Sequence, residues 1–83
     1  MGYEILYKSS VRRDLKNIEK SEVDRILSEI ERVLSKNPRV GKPLTGKFKG
    51  LYRYRIGDYR VIYAVEGKSV WILKIGHRKK VYR

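Results

Sequence analysis

The chain has 83 residues with one histidine and no cysteine, and its 21 Lys/Arg against nine Asp/Glu give a formal net charge of +12. That length makes one small domain, spanning residues 1–83, near the lower limit for burying a core, and the lack of thiols excludes a disulfide framework or a thiolate metal site. A zinc site built on the single histidine would need clustered carboxylates that the sequence does not offer, so no metal or cofactor is expected.

The longest uncharged apolar run, Val61 to Val65, is far too short to span a bilayer, and no apolar signal segment precedes the first strand. A cytoplasmic protein without a membrane partner is expected. The charge is uneven. Residues 1–37 hold eight Lys/Arg and seven Asp/Glu, whereas residues 38–83 hold thirteen against Asp58 and Glu66 alone. A basic half on an otherwise balanced domain is the footprint of a nucleic-acid binder, or of a protein held by an acidic partner.

Tyr3 to Lys8 reads as a short strand with Tyr3, Ile5 and Tyr7 on its inward side. Ser9 or Ser10 offers an N-cap for a helix of about ten residues carrying Val11, Leu15 and Ile18 on one stripe. The polar stretch from Lys16 to Lys20 breaks it. Ser21 then caps a second helix, with Glu22 and Asp24 in the first turn and Val23, Ile26, Leu27, Ile30 and Leu34 as its buried stripe. Asn37-Pro38 ends this helix, because the residue before proline resists helical angles. The two helices form an antiparallel hairpin.

Residues 38–50 (PRVGKPLTGKFKG) form the one true loop, with both prolines and three of the seven glycines. It serves either as a connector or as a basic arm along a phosphate backbone, with Lys47 and Lys49 beside the strand that follows.

From Leu51 to His77 the chain reads as three strands joined by Gly57-Asp58 and Gly67-Lys68, with Gly first, as a type II′ hairpin turn prefers. The register follows by arithmetic. Ile56 faces Tyr59, Arg55 faces Arg60 and Arg53 faces Ile62; beyond the second turn Ala64 faces Trp71, Ile62 faces Leu73 and Arg60 faces Ile75. Arg53, Arg55, Arg60, Ile62, Leu73, Ile75 and His77 then share one face, while Tyr52, Tyr54, Ile56, Tyr59, Val61, Tyr63, Val65, Val70 and Ile72 share the other and meet the helices. The fold class is α+β: an N-terminal strand and a helical hairpin packed on one face of a mainly antiparallel four-stranded sheet.

Arginines placed directly opposite each other repel, so folding gains nothing from Arg55 facing Arg60. An anion is expected there. In this register the last strand delivers Arg78 and Lys79 to the arginine end, with Tyr82 within reach if the tail folds back. Guanidinium groups around a phosphate with a nearby aromatic suit an RNA strand, whose bases stack on tyrosine.

The segments LYRYRIGDYRVIY and IGHRKKVYR, together with the strand, the helical hairpin ending in Asn-Pro and the loop, resemble the RelE/ParE superfamily of type II toxin–antitoxin toxins. The tail resembles the RelE branch, whose members are ribosome-dependent mRNA endonucleases; the ParE branch poisons DNA gyrase. The resemblance implies cleavage of mRNA on the ribosome and silencing by a cognate acidic, RelB-like antitoxin, the toxin being monomeric when free and hetero-oligomeric when silenced. It assigns Arg60 to the scissile phosphate, Arg78 to charge at the transition state, and Tyr82 to the attacking group or a stacked base.

Arg53 and Arg55 stand where the best-known members carry lysines, one of them a candidate base. Arginine stays protonated at neutral pH, so the base in this chain must be another group: His77, Tyr82, or one of Lys47, Lys49, Lys79 and Lys80. A gyrase poison and a toxin-fold protein that only binds remain the alternatives. For the antitoxin, Ile62, Trp71, Leu73 and Ile75 are expected to leave an apolar patch that a helix or extended segment covers.

Overall fold

Gly57 and Gly67 both adopt φ of 59°, and no non-glycine residue among those described has a positive φ. A positive φ at the first central residue alone is the signature of the type II′ turn. In the computed structural model, which describes residues 2–77, these two turns link β3 (Tyr52–Ile56), β4 (Tyr59–Glu66) and β5 (Ser69–His77). Before them come β1 (Glu4–Tyr7), α1 (Val11–Lys16), α2 (Lys20–Glu29) with a π-helical turn at Ile30–Leu34, and β2 (Lys42–Pro43) followed by a 3-10 turn at Gly46–Phe48.

The sheet has five strands in the order β1-β5-β4-β3-β2. The first strand therefore joins the edge beside β5, where it runs parallel with Ile5 against Val70 and Tyr7 against Ile72. The fifth strand comes from the segment expected to be a loop throughout. Lys42 pairs with Arg53 and Pro43 with Tyr52. This short strand is fixed by a buried hydroxyl: Tyr63 donates to the Pro38 carbonyl at 2.8 Å and accepts from the Gly41 amide at 3.0 Å. Burial pushes the Tyr63 phenol up to about 12, the Gly41 amide pulling modestly the other way.

The first hairpin has the expected register, including Arg55 opposite Arg60 and Arg53 opposite Ile62. The second follows it from Glu66–Ser69 to Tyr63–Ile72 and then shifts by one residue. A β-bulge lies between Ile62 and Tyr63 on β4, so that Leu73 is the extra residue on β5, Lys74 stands opposite Ile62, Ile75 opposite Val61 and Gly76 opposite Arg60. The shift is driven by burial. Ile75 is 2% exposed and sits in the core with Val61, Tyr63, Val70 and Ile72, whereas a regular ladder would have turned it away from the helices. Asp14 on α1 holds the shifted strand, its Oδ2 accepting the Ile75 amide at 3.1 Å beyond the point where β1 ends.

The helices pack as their apolar stripes dictate: Val11, Ile26, Ile30 and Leu34 are fully buried against the sheet, with Leu15, Ile18, Leu27 and Val33 beside them. Each such side chain contributes roughly 1.5–3 kcal/mol over its exposed state. The ends differ from the sequence expectation. α1 has six residues, Ser10 makes no side-chain cap, and α2 begins before Ser21, its first turn closing through the Val23 amide on the Glu19 carbonyl at 2.9 Å.

Candidate nucleic-acid interface

Facing away from the helices, the arginine end of the sheet carries two neighbouring cross-strand rows. The shorter holds Arg55, Arg60 and Gly76; the longer holds Lys42, Arg53, Ile62 and Lys74, one residue from each of β2, β3, β4 and β5. Alternation along β3 and β4 places the arginines here, since Tyr54, Val61 and Tyr63 between them belong to the helix side. Among the described residues the ion pairs are Lys20–Asp24, Arg25–Glu22 and Arg32–Glu29, all on the helical layer. The arginines of the sheet have no carboxylate partner among the described residues. Arg60 is half-buried, and its Nε is shielded from solvent with no hydrogen-bond partner among the described residues. A shielded guanidinium N–H left unmatched is costly to a folded protein, and an anion relieves that cost.

From the helix side, Tyr54 ties β3 to α2: its hydroxyl donates to Glu29 Oε2 at 3.0 Å, while Arg32 donates to Glu29 Oε1 at 2.7 Å. Hydrogen bonding from Arg32, then from Tyr54, holds the Glu29 carboxyl below the usual range. The strand that carries Arg53 and Arg55 is thus fixed from behind.

Several expected site residues are placed differently. The bulge turns Ile75 into the core and sets His77 opposite Tyr59 on the helix side, their rings edge to face at 6.0 Å, away from the arginines. Ile62 shares the arginine face but is only 5% exposed, lying between Arg53 and Lys74. The expected apolar patch therefore reduces to Trp71, which is 36% exposed, and the half-buried Leu73.

Lys47 and Lys49 are exposed in a loop closed at its base by the Leu44 amide on the Leu51 carbonyl at 2.9 Å, with the Lys47 ammonium 5.4 Å from the Phe48 ring centre. Arg78, Lys79, Lys80 and Tyr82 lie outside the described residues.

Lys42 and Lys74 were not singled out in the sequence, yet both join the arginine face. The signal for Lys74 was the spacing of Val70, Ile72 and Ile75, two residues and then three, which a strand satisfies only through a bulge. Lys42 carried no such signal, because its strand is created by contacts with Tyr63 and β3.

A short, helix-backed sheet whose open face carries cations with no carboxylate partner among the described residues defines a small basic domain suited to an anionic partner. The family described as "ParE toxin of type II toxin-antitoxin system" matches residues 5–82. Toxin RelG of Mycobacterium tuberculosis is 33% identical over 86 residues, covering 100% of this chain and 99% of the relative. Among solved structures, the toxin–antitoxin complex RelBE2 of the same organism superposes with a TM-score of 0.88 at 31% identity, covering 94% of this chain and 100% of the other. The archaeal RelE–RelB complex of Pyrococcus horikoshii superposes with a TM-score of 0.73 at 32% identity, covering 98% and 100%. The chain belongs to the RelE/ParE superfamily of type II toxin–antitoxin toxins.

Proposed function

We propose that this toxin is an mRNA endonuclease that acts on the ribosome in the cytoplasm. The observation that carries the reading is Arg60, its Nε shielded and unpartnered, with Arg55 opposite and no carboxylate neutralising either among the described residues. In this mechanism the 2′-hydroxyl attacks the adjacent phosphorus, forming a new O–P bond as the bond to the 5′-oxygen breaks. The products are a 2′,3′-cyclic phosphate and a 5′-hydroxyl. The reaction needs no metal. One proton leaves the 2′-hydroxyl and another reaches the 5′-oxygen, and arginines stabilise the additional charge on the phosphoryl oxygens, an effect worth about 100- to 1,000-fold for a single donor. Arg60 supplies this clamp with Arg53 and Arg55 beside it; Arg78 and Tyr82 complete the site from the tail. Lys47, Lys49, Lys79 and Lys80 contact the strand further out.

Translation in vitro with primer extension on the message tests this. The wild type cuts, and Arg60→Ala and Arg78→Ala stop the cutting while remaining folded. Cleavage retained in both variants removes the proposal.

A cognate antitoxin is the proposed partner, as the toxin–antitoxin complexes among the structural relatives support, and the net charge of +12 on this chain favours an acidic one. It covers Trp71 and Leu73 and neutralises the basic rim; unchanged antitoxin binding by Leu73→Asp counts against this. A second reading, a gyrase poison, is favoured by the ParE description of the matching family. It predicts DNA damage and filamentation while translation continues.

A further inference from the structure

The longer row on the open face reaches beyond the arginines at both ends. We propose that Lys42 and Lys74 hold the RNA backbone on either side of Arg53 and Arg60, so that a single strand crosses β2, β3, β4 and β5 roughly at right angles to them. The inference rests on the nuclease reading and names the path the substrate takes through that site.

The register carries it. Lys42 is directly opposite Arg53, Arg53 opposite Ile62, and Ile62 opposite Lys74. Three inter-strand gaps make a row about 14 Å long, enough for more than one backbone phosphate. Arg60 lies diagonally from both Arg53 and Lys74, a separation that long side chains bridge.

Lys74 reaches this face only through the bulge. In a regular ladder it would oppose Val61 and point into the core; the extra residue Leu73 turns Ile75 inward and Lys74 outward together. Asp14, bonded to the Ile75 amide from α1, holds that arrangement. The fold thus adds Lys74 to the three arginines and Lys42, again with no carboxylate partner among the described residues. Lysines on flexible stems act as point charges on phosphate and read no base, which suits an enzyme that must accept many messages.

A protein partner fits the row less well. Its one apolar member, Ile62, is already 5% exposed, so the row offers no hydrophobic centre for an interface. The exposed Trp71 belongs to the Ala64 position, one step further along the strands.

The test measures binding of the full chain to a labelled single-stranded RNA with 2′-O-methyl sugars, which resists cleavage, over a series of salt concentrations. Lys42→Gln and Lys74→Gln each reduce the slope of log affinity against log salt by about 0.7, the value for one lost phosphate contact on a single strand. Lys74→Arg retains the wild-type slope. Lys68→Gln, whose ammonium lies 4.8 Å from the Tyr3 ring centre at the far turn of the sheet, leaves the slope unchanged and controls for net charge.

Slopes for the Lys42 and Lys74 variants that match Lys68→Gln overturn the inference. So does a wild type that binds no RNA, or a lysine pair that matters for an acidic partner and not for RNA. Primer extension on the same proteins separates the two readings: a wild type that cuts message while the lysine variants keep their slope loses the track alone.

Discussion

Arg55 and Arg60 stand directly opposite each other on adjacent strands, and among the described residues no carboxylate answers either of them. Directly opposed like charges destabilise a sheet, and the shielded Arg60 Nε adds an unmatched donor. The site is therefore held at a cost to the free protein.

Function and stability consequently move in opposite directions at this pair. Arg60→Leu is expected to raise the unfolding free energy by about 1 kcal/mol, because it removes both the repulsion and the unmatched donor. Under the proposed endonuclease function, the same variant is expected to lose cleavage. Chemical denaturation beside primer extension measures both, and a destabilised Arg60→Leu protein contradicts the prediction.

Gly41 has no room for a side chain. An added Cβ falls on the Tyr63 hydroxyl and comes within 2.9 Å of the Arg53 carbonyl. Gly41→Ala is expected to cost about 2–3 kcal/mol, since both neighbours belong to the packed sheet and cannot yield cheaply. A melting temperature equal to the wild type's would show that β2 is not held as described.

The Tyr63 hydroxyl serves two backbone groups, so Tyr63→Phe leaves the Pro38 carbonyl and the Gly41 amide without it and costs about 1–2 kcal/mol. The pH dependence has a definite sign. The folded phenol titrates near 12, above the unfolded value of about 10. Its protonated form is favoured by folding, so this contribution is complete below about pH 10 and is lost as pH rises through the folded value. The stability gap between wild type and Tyr63→Phe should shrink across that alkaline window, as denaturation at a series of pH values will measure.

Asp14→Ala removes the acceptor of the Ile75 amide. Loss of a partly buried charge-assisted bond costs about 1.5–3 kcal/mol, equivalent to tenfold or more faster hydrogen exchange at Ile75 if that amide exchanges by global opening. Unchanged exchange there would mean that the bulge is held by core packing alone.

Much of this architecture was written locally. The helical stripes through Ile26, Ile30 and Leu34, and the two glycine-first turns that set Arg55 against Arg60, follow from periodicity and backbone preference, which act between near neighbours in the chain. The helix ends were less legible, because Ser10 and Ser21 are capable caps that the turns at Lys8 and Glu19 make unnecessary.

What required the tertiary structure was every decision that weighed one strand against a distant partner. Burying Ile75 against α1 and the core forced the extra residue at Leu73, and that single step moved Lys74 onto the arginine face and took His77 off it. Lys42 joined the sheet because a tyrosine two strands away bonded its loop. The sequence by itself determined which residues are apolar, where the chain turns and that the arginines meet; a one-residue slip exchanges the faces of a strand, so only packing decided which other cations stand with them.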